Sequence, residues 1–204
     1  MFKDEELYSR LIAVTDRSLC TRPFPEQIAR VCARHPRALI LREKDMPERE
    51  YERLAAEVMK ICAEYDVPCI LHSYAEAARR LGCGAIHMPL TKLEQYHKVF
   101  AVGSGEHRRE NEFFTVRGVS VHSAAEAIRA EELGATYLTA GHIFPTGCKA
   151  GIPPRGLSFL QDVAVSVSIP VYGIGGIGID AGQIQKLLDC GAAGGCAMSA
   201  MMSI

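Results

Sequence analysis

Residues 118–142 read Gly-Val-Ser-Val-His-Ser-Ala-Ala-Glu-Ala-Ile-Arg-Ala-Glu-Glu-Leu-Gly-Ala-Thr-Tyr-Leu-Thr-Ala-Gly-His, and their pattern decides the fold. One short apolar run ends at Val121, and a second covers 136–140. Between them, residues 124–133 carry apolar side chains three and four positions apart. Short apolar runs are typical of buried parallel strands, and the wider spacing is typical of a helix that packs over them. The stretch therefore predicts a strand, a helix and a strand in succession.

The same alternation extends in both directions along the 204 residues. The predicted strands cover 11–14, 38–41, 67–71, 84–88, 113–121, 136–140, 170–174 and 193–198. The predicted helices cover 23–34, 47–65, 75–81, 124–133, 157–167 and 183–189, whereas 91–112 has no clear assignment. Eight such strands predict an α/β fold of the (β/α)8 type, a TIM barrel, as a single domain over residues 1–204. An open doubly wound sheet is the alternative. The sequence ends at Ile204, soon after the last strand, so the final helix is expected to be short or missing.

Composition excludes several classes of function. The net charge is −1, so we expect no binding to nucleic acid. No apolar stretch is long enough to span a membrane, and the charged N-terminus does not resemble a signal peptide. The eight cysteines are scattered, with no Cys-x-x-Cys pair, which favours reduced, buried thiols. We therefore expect a cytoplasmic protein.

Polar residues follow the ends of the predicted strands, where the functional sites of such barrels lie. They are Asp16, Arg42, Glu43, Lys44, His72, His122, His142 and Lys149. Because strand side chains alternate in direction, Ser120 and His122 should face the barrel mouth while Val119 and Val121 face the helices. An imidazole titrates near neutral pH, so His122 is the candidate proton carrier, with a purely structural histidine as the alternative.

Glycines after the seventh strand suggest a site for phosphate. Gly175 and Gly176 would let backbone N–H groups approach an anion closely, and Met198 and Ser199 lie at the matching place after the eighth strand. A simple tight turn is the alternative. The loop after the sixth strand is predicted to be an active-site flap, in which Cys148 is considered as a nucleophile. No spacing of histidines or carboxylates suggests a metal site.

Five segments taken together resemble a known superfamily over residues 11–199. They are LIAVTD (11–16), LILREKD (39–45), GVSVHS (118–123), GHIFPTGCKAGIPPRGLSFL (141–160) and IPVYGIGGI (169–177). In this order they are similar to thiamine phosphate synthase and its TenI-type relative, thiazole tautomerase. The synthase joins a pyrimidine pyrophosphate to a thiazole phosphate and uses Mg²⁺ on the pyrophosphate.

The resemblance favours the tautomerase branch. The synthase pattern has Asn-Asp-Arg after strand three and another aspartate after strand four, where this chain has His72-Ser73-Tyr74 and Met88-Pro89-Leu90-Thr91. Mg²⁺ prefers oxygen ligands, often carboxylates, and both carboxylates are absent. The tautomerase pattern is matched by Ser-Val-His-Ser at 120–123, Gly-His at 141–142 and Cys-Lys at 148–149. We therefore expect an isomerase that aromatises a carboxythiazole phosphate tautomer in thiamine biosynthesis.

In that reaction the resemblance makes His122 the catalytic proton shuttle. It places Gly175, Gly176, Met198 and Ser199 on the phosphate of a phosphorylated thiazole. Arg42, Lys44 and Lys149 would bind anionic groups, and Gly141 and His142 would contact the substrate. No metal or other cofactor is implied. A thiamine phosphate synthase-like transferase and a non-catalytic phosphate-binding or regulatory barrel are the alternatives. A homodimer is also expected, because a missing final helix would leave an edge exposed.

Overall fold

Eight parallel strands close into a barrel in a computed structural model that describes residues 2–101, 113–149 and 151–204. The strands are β1 (Leu11–Val14), β2 (Ala38–Leu41), β3 (Cys69–His72), β4 (Ala85–Pro89), β5 (Val116–Val121), β6 (Tyr137–Gly141), β7 (Val171–Ile174) and β8 (Gly194–Ala197). β1 pairs with β8 in the register Ile12↔Cys196, and this pairing closes the sheet. The TIM barrel is therefore confirmed, and the open-sheet alternative is wrong because no strand edge is left between β1 and β8.

Helices connect the strands on the outside of the barrel. They are α1 (Asp4–Ser9), α2 (Phe24–Cys32), α3 (Glu48–Glu64), α4 (Ala75–Arg80), α5 (Leu90–Ala101), α6 (Ala124–Glu132), α7 (Gly156–Ser166), α8 (Ala181–Asp189) and α9 (Ser199–Met202), with 3₁₀ turns at Arg17–Leu19 and Gly147–Lys149. Ser123 and Asp180 begin α6 and α8, since each side chain accepts a hydrogen bond from a first-turn N–H. Within the described ranges, no helix combines the length and the apolar character needed to cross a membrane.

The unassigned segment at 91–112 begins as a helix. Its first part belongs to α5, in which Leu93 is buried, and the apolar residues near 99 are therefore helical. The loop-like sequence predicted at 103–111 lies outside the described residues.

The core has two layers because strand side chains alternate. In β2, Leu39 and Leu41 are fully buried against the helices, whereas Ala38 and Ile40 point into the barrel. The interior layer is completed by Ile12, Val14, Ile70, Tyr137, Tyr172 and Cys196. Aliphatic side chains from β1–β3 thus fill one half of the interior, and the aromatic rings of β6 and β7 occupy the other half.

The final helix is short, as the sequence predicts. α9 has four residues, of which Met201 and Met202 are fully buried. The Gln27 side chain on α2 donates a hydrogen bond of 2.8 Å to the Met201 carbonyl oxygen. This bond satisfies one of the carbonyl groups that a helix leaves open at its C-terminal end. The short helix therefore covers the barrel by burying two methionines against α2.

The cysteines whose side chains are described are free thiols. Cys32 on α2 and Cys62 on α3 are both buried, with their sulfur atoms 3.8 Å apart, well beyond the length of a disulfide bond. Burial raises the pKa of the Cys196 thiol inside the barrel. These thiols are packing groups, as expected from their apolar sequence contexts.

Candidate functional site

A cavity of about 600 Å³ opens at the carboxyl ends of the strands. Its walls include all ten residues predicted for the site: Arg42, Lys44, His122, Gly141, His142, Lys149, Gly175, Gly176, Met198 and Ser199. They come from the ends of β2, β5, β6, β7 and β8 and from the loops that follow these strands. Barrel closure brings these distant segments together around one space. The Cys148 side chain, considered as a nucleophile, lies outside the described residues.

Two of the polar residues at strand ends belong to the framework instead. The buried Glu43 carboxylate accepts hydrogen bonds from Thr15 Oγ1 at 2.7 Å and from Arg17 Nη1 at 3.0 Å. Asp16 accepts a bond from the Ser18 N–H and begins the first 3₁₀ turn. The Arg42 N–H donates to Thr15 Oγ1 at 2.9 Å, so this network also fixes the backbone that carries the Arg42 side chain.

Three cations form what we term the cationic side of the cavity: Arg42, Lys44 and Lys149. None of them forms an ion pair with another residue in the described part of the chain. Burial lowers the pKa of Lys44, and the nearby positive charges of Arg42 and Lys149 lower it further. Positive groups that repel one another without a counterion favour the binding of an anion between them.

The glycines after β7 have a demonstrable packing role. Gly175 and Gly176 have φ angles of +98° and +69°, in the region that favours glycine. A Cβ atom on Gly176 would lie 2.8 Å from the Phe144 Cβ, and one on Gly175 would collide with His142. The N–H groups of these two glycines donate no hydrogen bond to any described residue. The turn therefore needs glycine for its own geometry, and it also presents two donors beside the cavity.

His122 stands at the end of β5 with one ring nitrogen engaged. Its Nδ1 lies 3.0 Å from the Gly141 carbonyl oxygen, which can only accept. Nδ1 is therefore the donor in this contact. Val119 and Val121 are buried beneath the helices while Ser120 and His122 line the cavity, as strand alternation predicts. His142 is buried, and its Nε2 lies 3.3 Å from the Ile152 carbonyl oxygen.

A polar cluster at the wall of the cavity was not anticipated from the sequence. It consists of His87, Ser120, Tyr137 and Thr139, from β4, β5 and β6. His87 Nδ1 lies 3.0 Å from the Tyr137 hydroxyl, and His87 Nε2 lies 2.8 Å from Ser120 Oγ. The Thr139 hydroxyl donates to Ser120 Oγ at 3.2 Å. Gly118 leaves space for the cluster, since a Cβ there would collide with both Tyr137 and His87.

Burial keeps the His87 ring uncharged. It lowers the pKa of His87 to about 3, with a smaller contribution from the positive charge of Arg42. A neutral imidazole has one donor and one acceptor nitrogen, and both have partners in the cluster. The single signal in the sequence was a lone histidine in the apolar run of β4, between Ile86 and Met88. Its partners come from two other strands and could not be read from that run.

His72, at the end of β3, stacks against His87 but lacks such partners. The two ring centroids are 5.7 Å apart and the planes are inclined by 22°. His72 is only 6% exposed and lines the cavity, and neither ring nitrogen has a hydrogen bond to a described residue. Burial lowers the pKa of His72 to about 3, and the charges of the neighbouring histidine and cations act in the same direction.

The residues after β3 and β4 do not fit a magnesium ion. They are His72, Ser73, Leu90 and Thr91, where the synthase pattern has carboxylates. Within the described ranges, no group of three or more histidine, cysteine, aspartate or glutamate residues is placed to hold a metal ion. Mg²⁺ needs near-octahedral oxygen coordination, usually with one or two carboxylates, and a neutral imidazole beside several cations is a poor substitute.

Fold and site together define a (β/α)8 barrel with an electropositive cavity at the carboxyl ends of its strands. The chain belongs to the thiamine monophosphate synthase family, whose model matches residues 11–201. The superfamily suggested by the five sequence segments is thus confirmed.

Similar proteins cover nearly the whole chain. The thiamine-phosphate synthase of Desulfitobacterium hafniense (strain Y51) is 32% identical, over 95% of this chain and 89% of the relative. That of Clostridium acetobutylicum is 30% identical, over 95% and 87%. The solved structure of thiamine phosphate pyrophosphorylase from Pyrococcus furiosus superposes with a TM-score of 0.75 at 27% identity, covering 97% of this chain and 89% of that one.

The assignment as a thiazole tautomerase, and hence as an isomerase, is wrong in the light of these relatives, which are named as synthases. The structure explains why the motif did not discriminate between the two branches. Ser120 is bonded to His87, and His122 is bonded to the Gly141 carbonyl. In this chain the Ser-Val-His-Ser and Gly-His segments are therefore held by hydrogen bonds between neighbouring strands. Motifs with such a role report the fold more directly than the reaction.

Proposed function

We propose that the protein is a transferase of the thiamine phosphate synthase type, which joins a pyrimidine pyrophosphate to a thiazole phosphate. The observation that carries this proposal is similarity over nearly the full length of both partners, at 30–32% identity, to proteins named thiamine-phosphate synthase. Its substrates would be small, phosphorylated molecules that carry a pyrimidine and a thiazole ring.

The cationic side of the cavity and the glycine turn after β7 together support a reaction between two anionic substrates. The cationic side suits the more highly charged pyrophosphate, because three positive groups there lack counterions. The unbonded N–H groups of Gly175 and Gly176 suit the single phosphate of the second substrate. Met198 and Ser199 line the cavity beside them, in keeping with their predicted place at the phosphate.

The chemistry asked of these residues is mainly positioning and charge neutralisation. As the thiazole forms a bond to the pyrimidine substrate, the bond between that substrate and pyrophosphate breaks. Negative charge then accumulates on the pyrophosphate leaving group. Arg42 and Lys44 would stabilise that charge, and Lys149 would approach it from the flap. The apolar walls at Val14, Ile40 and Ile174 would hold the two rings close together and exclude water.

The test is the joining reaction itself, with purified protein, both substrates and detection of thiamine phosphate by chromatography and mass. We expect product formation that falls at least about 10-fold in Arg42→Gln, because a charged hydrogen bond to the leaving group is lost. The control is Arg53→Gln on the outer helix α3, which should retain wild-type turnover. Absence of product with and without Mg²⁺, although both substrates bind, would reject the transferase and leave the non-catalytic phosphate-binding barrel.

A further inference from the structure

We propose that His72 binds the pyrophosphate group as a protonated cation and thereby occupies the role of a divalent metal in this cavity. This inference rests on the proposed function for the identity of the anion. It assigns to His72 a direct contact with substrate that the sequence pattern of the family does not supply.

The geometry of two neighbouring histidines carries the inference. His72 and His87 are both buried, at 6% and 3% exposed, and lie in stacked contact. Every ring nitrogen of His87 has a partner, whereas the His72 ring has none among the described residues and lines the cavity wall. The His72 ring nitrogens are not among the buried, unsatisfied polar atoms of the described residues, so they are open to the cavity and free to bond to a ligand there. A ligand in the cavity would supply the missing bond.

The charges around His72 indicate which ligand that is. The cations whose charges bear on its ring are Arg42 and Lys44 after β2 and Lys92 on α5, and His87 on β4 adds repulsion only when it is itself protonated. From α3, the Tyr51 hydroxyl accepts a hydrogen bond from the His72 backbone N–H at 2.9 Å. Two carboxylates also line the cavity, but Glu94 pairs with Arg129 at 3.8 Å and Glu126 accepts a hydrogen bond from the His122 backbone N–H. In the described part of the chain, neither forms a salt bridge with these cations. The surroundings therefore repel a proton on His72 while the cavity is empty and attract an anion.

Arrival of pyrophosphate reverses that balance. A ligand with several negative charges offsets the repulsion from Arg42 and Lys44, and it accepts a hydrogen bond from the imidazolium. Binding is then coupled to uptake of a proton by His72. Lys92 strengthens the arrangement by fixing the neighbouring backbone, since its ammonium group donates to the Ser73 carbonyl oxygen at 3.1 Å. In this way the strand end that lacks a carboxylate neutralises the anion directly, without a metal bridge.

The test is calorimetric titration of the whole protein with inorganic pyrophosphate in EDTA, in several buffers of different ionisation enthalpy at one pH. The dependence of the heat on the buffer gives the number of protons taken up. We expect wild type to take up about one more proton than His72→Asn, and to bind pyrophosphate about 10-fold more tightly below pH 7. The exposed His97→Asn on α5 is the matched control and should behave as wild type.

Equal proton uptake by wild type and His72→Asn would overturn the inference, as would pyrophosphate binding that occurs only with Mg²⁺. If His72→Asn does not fold, as judged by circular dichroism, NMR of the wild-type imidazole resonances decides instead. The His72 ring must then change from neutral to protonated on addition of pyrophosphate, and an unchanged ring contradicts the proposal. The joining reaction is a separate readout, so its failure with intact proton-coupled binding would reject the transferase while His72 keeps its assigned role.

Discussion

The polar cluster inside the barrel and the cationic side of the cavity both consist of polar side chains, but only those of the cluster are paired with one another. In the cluster, His87, Ser120 and Tyr137 satisfy one another's hydrogen bonds, although His87 and Ser120 also line the cavity. On the cationic side, Arg42 and Lys44 repel each other, and no described residue neutralises them. Polar groups that are paired internally hold the strands in register, whereas unpaired ones are available to a substrate. Substitutions in the cluster should therefore lower the free energy of unfolding, whereas substitutions on the cationic side should weaken ligand binding.

The largest loss of stability is expected from filling the space at Gly118. In Gly118→Ala, the new methyl group collides with the buried Tyr137 and His87 rings and pushes two strands apart. We expect the free energy of unfolding, measured in urea, to fall by about 3 kcal/mol. Gly147→Ala is the control, because a Cβ there has open space, and it should stay within about 0.5 kcal/mol of wild type. A Gly118→Ala protein as stable as wild type would show that the cluster is loosely packed.

Acid should weaken the fold through the two stacked histidines. Their pKa values are depressed to about 3, so below the unfolded value of about 6.5 the unfolded chain binds more protons than the folded one. Stability is therefore full above about pH 7 and decreases as the pH falls, by about 2 kcal/mol per histidine between pH 7 and pH 5. Urea unfolding at both values measures this decrease.

The His72→Asn variant separates the contributions of the two histidines to the pH dependence of the free energy of unfolding. The variant should lose the share due to His72 and keep the share due to His87, since the latter stays enclosed in the cluster. Saturating pyrophosphate should also reduce the loss of wild-type stability on acidification, because it binds the folded state more tightly once His72 is protonated. An identical slope in wild type and variant would mean that His72 does not titrate in the cavity.

A smaller effect is expected from removing one hydroxyl of the cluster. Tyr137→Phe leaves His87 Nδ1 without its partner, and we expect a loss of about 1 kcal/mol in the free energy of unfolding. Tyr172→Phe is a close control in the same layer, because the Tyr172 hydroxyl makes no hydrogen bond to a described residue. Equal losses in both variants would indicate that the cost comes from repacking of the aromatic layer.

The smallest effect on stability is expected on the cationic side. Lys44→Gln and Lys149→Gln each remove one repelling charge from an exposed position. The free energy of unfolding should therefore change by no more than about 0.5 kcal/mol. Pyrophosphate binding should nevertheless weaken several-fold and depend less steeply on salt concentration. Retained affinity in both lysine variants would place the anion elsewhere in the cavity.

The barrel was predictable because its signals are local. The run at 38–41 forms β2 with the predicted bounds, and Ser123 and Asp180 mark helix starts that depend only on the adjacent residues. Most other strands differ by one to three residues at their ends, as with β5, which begins at Val116 and not at 113. The helix at 90–101 was missed although Leu90, Leu93 and Tyr96 lie three residues apart, because the short apolar run at 99–102 and the loop-like residues after it obscured the pattern.

The site was predictable only in part, for a related reason. His122 and Lys149 were found because they follow predicted strands, and that relation can be seen in the sequence. Tyr137 and Thr139 were not found, because their contact with His87 depends on closure of the barrel and on the registers of β4, β5 and β6. Nor could sequence spacing show that His72 is left without a partner. Whether a polar side chain has a partner depends on the folded structure, and here it distinguishes the paired residues that hold the barrel together from the unpaired ones that face the ligand.

The stacked contact of His72 and His87 has a further consequence for observing the protein at work. Aromatic rings perturb the magnetic field at nearby nuclei, and the two planes are inclined by only 22° at 5.7 Å. Any rotation of the His72 ring toward a ligand would thus displace the carbon-bound proton resonances of His87, which itself stays fixed by Tyr137 and Ser120. The barrel interior consequently contains a built-in reporter of cavity occupancy, readable without a label.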